Sequence, residues 1–123
     1  MRTTTRWSAA ALATIASLAL ATAAQAHTEV ASTSPRSGRT ASTATRSVTV
    51  TFTGQIRRGT LSVTRAGRKV SRGSGGVDPR SVKRLRVALG SRLKAGRYVA
   101  RWSIVAADGH RQSGTFRFRL ARR

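Results

Sequence analysis

The sequence predicts an all-β protein, either an antiparallel β-sandwich or a small β-barrel. Three observations predict this fold. Apolar and polar residues alternate with the two-residue period of half-buried strands, glycine-containing turns separate the alternating segments, and no segment has the periodicity of an amphipathic helix. The predicted domain spans residues 27–123.

The alternating segments follow one another to the end of the chain. Turn signals at Ala66-Gly67 and Lys94-Ala95-Gly96 separate some of them. The arginines between the apolar residues are expected on the solvent face, where they discourage edge-to-edge association. The glycine-rich residues 72–76 are predicted to be a flexible loop and not a phosphate-binding loop. The predicted core positions are Val48, Val50, Phe52, Leu61, Val63, Leu85, Val87, Leu89, Tyr98, Ala100, Trp102, Ile104, Phe116, Phe118 and Leu120.

The first 26 residues have the order of an export signal. Arg2 and Arg6 give a positive start, an apolar run follows, and Ala24 and Ala26 occupy the small-residue positions before a cleavage site. The run is shorter than the roughly 20 residues that span a bilayer, so we expect cleavage after Ala26, a periplasmic or secreted protein, and no stable membrane anchor. We also expect a monomer. Cleavage gives His27 a free amine.

Composition limits the function of the mature chain. No cysteine is present, which excludes disulfides and thiolate metal sites. Without the leader the chain has 22 lysines and arginines against three acidic residues, a formal charge of +19. Such a surface attracts polyanions. The bases are nevertheless dispersed and aromatic residues are few, so we expect no specific nucleic-acid partner, and a merely solvated basic surface is the simpler interpretation.

Three residues could bind a metal. Asp108 and His110 are two apart, so on an extended segment they point the same way. With the amine and imidazole of His27 they would supply three nitrogens and one oxygen, a donor set that suits Cu(II). The alternatives are that Asp108-Gly109 is an ordinary turn, that His110 is a solvated histidine, and that His27 begins a frayed terminus.

The mature chain resembles the CopC family of periplasmic copper-binding, copper-resistance proteins. The resemblance rests on His27 behind a cleavage site, the Ser- and Pro-containing residues 32–38, and a strand that ends in Phe52. It continues with Gly96, Tyr98 and Trp102 in one strand, then Asp-Gly-His at residues 108–110, then Gly114 and Phe118. This combination covers nearly all of the mature chain.

The resemblance implies an all-β fold, a Greek-key antiparallel β-sandwich of the immunoglobulin-like type with about seven strands, that binds Cu(II) at one end. His27 would bind through its amine and one ring nitrogen, an arrangement called a histidine brace, and His110 would be a further ligand. Asp108 is implied either to bind copper weakly or to hold the site from close by. The resemblance also implies a copper-resistance role, with a CopD-like inner-membrane copper transporter as the candidate partner.

Two departures from the family pattern matter. Many members have a glutamate after the strand-ending Phe, whereas this chain has Thr53 and Gly54 there, and Glu29 is a conceivable substitute. We therefore expect weaker Cu(II) binding than in members that keep the glutamate. Some members also have a methionine-rich loop for Cu(I), but the only methionine here is Met1, so no Cu(I) methionine site is expected.

We therefore predict copper binding and delivery or sequestration, with no enzymatic activity. A histidine-brace copper oxygenase is one alternative, disfavoured because Asp108 would crowd the position that oxygen needs and because few aromatic residues are available to bind a sugar. A polyanion-binding basic domain is another, and the fold could also persist without copper binding.

Overall fold

The computed structural model describes residues 27–122, and these form two β-sheets packed face to face. The predicted leader and its cleavage site lie outside the described residues. One sheet has four strands in the order β1-β3-β7-β6, and the other has five in the order β2-β9-β8-β4-β5. The strands are β1 Val30–Ser34, β2 Thr40–Ser42, β3 Ser47–Phe52, β4 Ile56–Arg65, β5 Arg68–Lys69, β6 Ser71–Val77, β7 Arg84–Leu89, β8 Gly96–Ala106 and β9 Arg111–Ala121.

The predicted all-β sandwich is confirmed. Within residues 27–122 there is no helix, and two of the nine strands, β2 and β5, have only three and two residues. The chain passes repeatedly from one sheet to the other, and neighbouring strands are antiparallel except that β2 runs parallel to β9. No helix in the described part of the chain is long and apolar enough to span a membrane.

The core lies between the two sheets and contains the predicted apolar positions. Fourteen of them are buried, and Trp102 packs against them while half-buried. The Trp102 ring meets Phe52 edge to face with centroids 4.9 Å apart, which joins the two sheets near one end of the sandwich. Burial of this continuous apolar surface between the sheets is the main stabilising contribution to the fold.

The prediction of a loop at residues 72–76 is wrong. They belong to strand β6, which pairs with β7 on both sides of a bulge between Arg72 and Gly76. Gly75 has φ +63°, and a Cβ there would lie 2.9 Å from the carbonyl oxygen of Arg86. Glycine is therefore the residue that lets the bulged strand pass this close to its neighbours.

Candidate metal centre

The hairpin turn between β8 and β9 carries Asp108 and His110. The amide of Ala106 donates to the carbonyl of His110 at 2.9 Å, and the amide of Gly109 donates back to the carbonyl of Ala106 at 2.9 Å. Gly109 has φ +87°, a left-handed conformation that glycine adopts without strain. The Asp-Gly-His sequence therefore forms a tight, defined turn at the end of the two longest strands.

The two side chains in this turn are bonded to each other. Asp108 Oδ1 accepts a hydrogen bond from the backbone amide of His110 at 2.9 Å, and Asp108 Oδ2 lies 2.8 Å from His110 Nδ1. The backbone hydrogen bond from His110, followed by the bond from its ring, holds the pKa of Asp108 below its usual value. Near neutral pH the carboxylate is therefore ionised and accepts the Nδ1 proton of the ring.

This pairing determines which ring nitrogen can bind a metal. In neutral imidazole one nitrogen carries the proton and the other has a free lone pair. A proton held on Nδ1 by Asp108 leaves the lone pair on Nε2 of His110. Both side chains are about half exposed, at 57% for His110 and 49% for Asp108. The turn thus presents one oriented and accessible nitrogen ligand, supported by a carboxylate in the way that metal-binding histidines commonly are.

The chain before β1 runs along the short loop that follows β3. The amide of Glu29 donates to Thr53 Oγ1 at 3.0 Å, and the amide of Thr53 donates to the carbonyl of Glu29 at 2.8 Å. Thr28 packs against Gly54 so closely that a Cβ on Gly54 would lie 2.7 Å from Thr28 Oγ1. Residues 28 and 29 are therefore held against residues 53 and 54.

The same loop also contacts the Asp108 turn. The next residue, Gln55, accepts a hydrogen bond at its carbonyl from the amide of Ala107 at 3.0 Å. Residues 53–55 therefore touch the immediate neighbours of His27 on one side and of Asp108 on the other. The segment that begins at His27 and the turn that carries His110 therefore both contact this loop, at one end of the sandwich.

The three predicted ligands do not form a closed cluster. Among residues 27–122, no group of three or more histidine, cysteine, aspartate or glutamate side chains is arranged to hold a metal ion. His27 is exposed. In the 123-residue chain its nitrogen is part of a peptide bond with Ala26, so one of the proposed donors exists only after cleavage. Asp108 and His110 are paired, and the participation of His27 stays a prediction.

The contact between Thr28 and Gly54 also bears on the missing glutamate. A Cβ at position 54 would lie 2.7 Å from Thr28 Oγ1, so a larger residue there requires the Thr28 side chain to move. Glu29, the conceivable substitute, is exposed and uses its backbone to pair with Thr53. The spacing of Asp108 and His110 predicted that they belong to the site. For the contacts made by residues 53–55, the sequence offered only one indication, the small residue Gly54.

Comparisons with known proteins agree with this architecture. A family model described as "CopC domain" matches residues 30–121. No curated protein sequence matches the chain.

Solved structures share the fold. CopC from Methylosinus trichosporium OB3b superposes with a TM-score of 0.66 at 20% identity, over 78% of this chain and 95% of that one. PcoC from Escherichia coli, described as a methionine-rich copper resistance protein, superposes with a TM-score of 0.62 at 23% identity, over 78% of this chain and 100% of that one. At this level of identity the similarity establishes the fold.

Proposed function

The chain belongs to the CopC family, and from this premise we propose that it is an exported Cu(II)-binding protein of copper resistance and homeostasis. It holds copper between the amino terminus created at His27 and the turn that carries His110. Copper is its cargo, which it sequesters or passes to a membrane copper transporter. The observation that carries the proposal is the pairing of Asp108 with His110 Nδ1 at 2.8 Å, which leaves Nε2 available to a metal.

The donor set of the proposed site fits Cu(II). The His27 amine, one His27 ring nitrogen and Nε2 of His110 are three nitrogen ligands, and Cu(II) favours tetragonal sites built from nitrogen and oxygen. A terminal amine has a pKa of about 7.7 to 8.0, so losing its proton near neutral pH costs little. Asp108 acts in this proposal as a positioning residue that orients His110 and keeps its proton on Nδ1.

The exposure of the turn favours exchange of the metal over permanent storage. Asp108 and His110 are half exposed, at 49% and 57%, and they lie on a turn instead of inside the sandwich. A partner protein can approach such a site directly. The strongly basic surface and the absence of a glutamate at position 54 both disfavour a dication, so the affinity is set mainly by the nitrogen ligands.

The aromatic residues favour binding over catalysis. An oxygenase that attacks a polysaccharide needs an exposed flat surface for the sugar. In the described part of the chain, Phe52, Tyr98, Phe116 and Phe118 are buried and Trp102 is half-buried in contact with the core. The Asp108 carboxylate is hydrogen-bonded to Nδ1 of His110, so in this conformation it supports the ring.

The test is a Cu(II) titration of the protein that begins at His27. All nine strands and the core lie within residues 30–121, so this protein retains the whole described fold. We expect one tightly bound Cu(II) per chain, measured by competition with a chromophoric chelator. The variants His27→Ala and His110→Ala should each bind much more weakly, whereas the control Glu29→Gln should bind nearly as well as the unmodified protein. Equal affinity in all four proteins would refute the proposed ligand set.

A further inference from the structure

The outer face of the five-stranded sheet is unusually rich in basic side chains. Strand register shows which residues share this face, because Arg97 lies opposite Arg119 and Val99 opposite Arg117 on the neighbouring strand. Seven bases lie on this face, and all seven are exposed. We call them the basic face: Arg58 on β4, Lys69 on β5, Arg97 and Arg101 on β8, and Arg111, Arg117 and Arg119 on β9.

No acidic residue offsets this charge. The three acidic residues of the whole sequence are Glu29 before β1, Asp78 after β6 and Asp108 in the β8–β9 turn. Within residues 27–122 the ion pairs are Arg84 with Asp78 and His110 with Asp108, and neither involves the basic face. The outer face of the other sheet has only three bases, at Arg72, Arg84 and Arg86. Of the bases on the two outer faces, seven therefore lie on the five-stranded sheet and three on the four-stranded sheet.

The arrangement costs stability and is not required by the fold. Like charges directly opposite each other on neighbouring strands are destabilising, and Arg97 and Arg119 form such a pair. Serine or threonine would meet the need for a polar outer face, and they do so elsewhere on it, as at Ser103, Ser113 and Thr115. An external anionic partner would remove the repulsion.

The shape of the face indicates what kind of anionic partner it fits. It is the surface of a sheet without exposed aromatic residues, so it offers neither a helix for a nucleic-acid groove nor rings on which bases could stack. Two shallow depressions interrupt it. One is lined by Arg97, Arg117 and Arg119, and the other lies between Arg58 and Arg111. A broad array of guanidinium groups with two small recesses matches a layer of lipid phosphates.

We propose that the basic face docks on a bilayer surface rich in anionic phospholipids. The contact is peripheral and electrostatic, because the face has no exposed large apolar side chain to insert between lipids. Arg111 directly follows His110 in the chain. Docking therefore places the β8–β9 turn at the edge of the contact, beside the membrane. The inference rests on the charge and shape of the sheet and does not require copper binding.

The test is sedimentation of the protein that begins at His27 with vesicles. We expect binding to vesicles of phosphatidylcholine with 30 mol% phosphatidylglycerol in about 0.1 M salt, loss of binding at high salt, and no binding to phosphatidylcholine alone. A basic residue close to an anionic surface strengthens binding about five-fold. The triple variant Arg97→Gln, Arg117→Gln, Arg119→Gln should therefore bind roughly 100-fold more weakly.

The matched control removes the three charges on the outer face of the other sheet, with Arg72→Gln, Arg84→Gln and Arg86→Gln. Those residues lie beyond the screening length of about 8 Å from a membrane docked on the basic face, so the control should lose no more than about five-fold. The basic-face variant should unfold at the same temperature as the unmodified protein or higher, since it loses a repulsive pair.

Three outcomes would overturn the proposal. The first is an equal loss of binding in both triple variants, which would mean attraction by net charge alone. The second is no binding to the anionic vesicles at about 0.1 M salt. The third is tighter binding to duplex DNA than to vesicles at matched phosphate concentration, which would make nucleic acid the partner of this face.

Discussion

Replacing Asp108 with asparagine tests how the candidate site is built. Asp108 now accepts two hydrogen bonds, from the His110 amide at Oδ1 and from His110 Nδ1 at Oδ2. Asparagine has one acceptor oxygen and one amide nitrogen. Its single oxygen can accept either from the His110 backbone amide or from His110 Nδ1. If it accepts from the backbone amide, its side-chain NH2 group donates to Nδ1. The proton of His110 then moves to Nε2, which is the nitrogen that copper needs.

The expected loss follows from removing the carboxylate that orients the His110 ring. Removing the partner that orients a ligating histidine typically lowers metal affinity about 10- to 100-fold. We expect a loss in this range for Asp108→Asn, and no added loss when the same change is made in a His110→Ala protein. The fold should persist, because Asp108 is exposed and remote from the core.

The assay is competition for Cu(II) with a chelator of known affinity on four proteins: unmodified, Asp108→Asn, His110→Ala and the double variant. This cycle measures the coupling between the two residues directly. An Asp108→Asn protein that binds Cu(II) as tightly as the unmodified one would refute the reasoning. So would losses that simply add in the double variant, because they would show that Asp108 acts independently of His110.

Three further predictions concern the fold and its contact with the site. Gly114→Ala should lower the free energy of unfolding by about 1–3 kcal/mol in urea titrations, because the new methyl group would lie 2.6 Å from the Trp102 ring, whereas Gly76→Ala meets nothing and serves as the control. Gly54→Ala should leave stability nearly unchanged but weaken Cu(II) binding in the chelator competition, because it displaces Thr28 beside His27. Burial raises the pKa of the Tyr98 phenol, against the opposing Arg65 charge. The folded state therefore favours the protonated phenol, and stability should fall as the pH rises from about 10 through the raised pKa. Tyr98→Phe should lower the free energy of unfolding by about 1 kcal/mol, because the hydrogen bond to Lys94 is lost. In urea titrations between pH 8 and 11, its stability should not show the part of the decline that comes from the phenol.

The alternation of apolar residues predicted most of the strands and every residue of the buried core cluster except Ile56. The failures occurred where tertiary contacts outweigh local composition. Residues 72–76 contain three glycines and read as a loop, yet β7 supplies pairing partners and the close approach at Gly75 requires glycine. The parallel pairing of Thr40–Ser42 with β9 gave no sequence signal because the segment is only three polar or small residues long.

The candidate site shows the same division. The spacing of Asp108 and His110 predicted that their side chains converge, and the structure pairs them in one turn. The loop at residues 53–55 could not be predicted, because it joins segments that are about 25 and 50 residues away along the chain. Backbone hydrogen bonds and one close contact at Gly54 create this connection. The hydrogen bonds leave no pattern in the sequence, and the contact leaves only the glycine itself.

The central claim is that the amine of His27 binds copper together with His110. Electron paramagnetic resonance of bound Cu(II) tests it most directly, when the protein that begins at His27 is compared with the same protein preceded by one added alanine. We expect three coordinated nitrogens, from His27 and His110, in the first protein. We expect a changed spectrum and weaker binding in the second, where the His27 nitrogen is an amide. Identical spectra and affinities from the two proteins would show that the His27 amine is not a ligand.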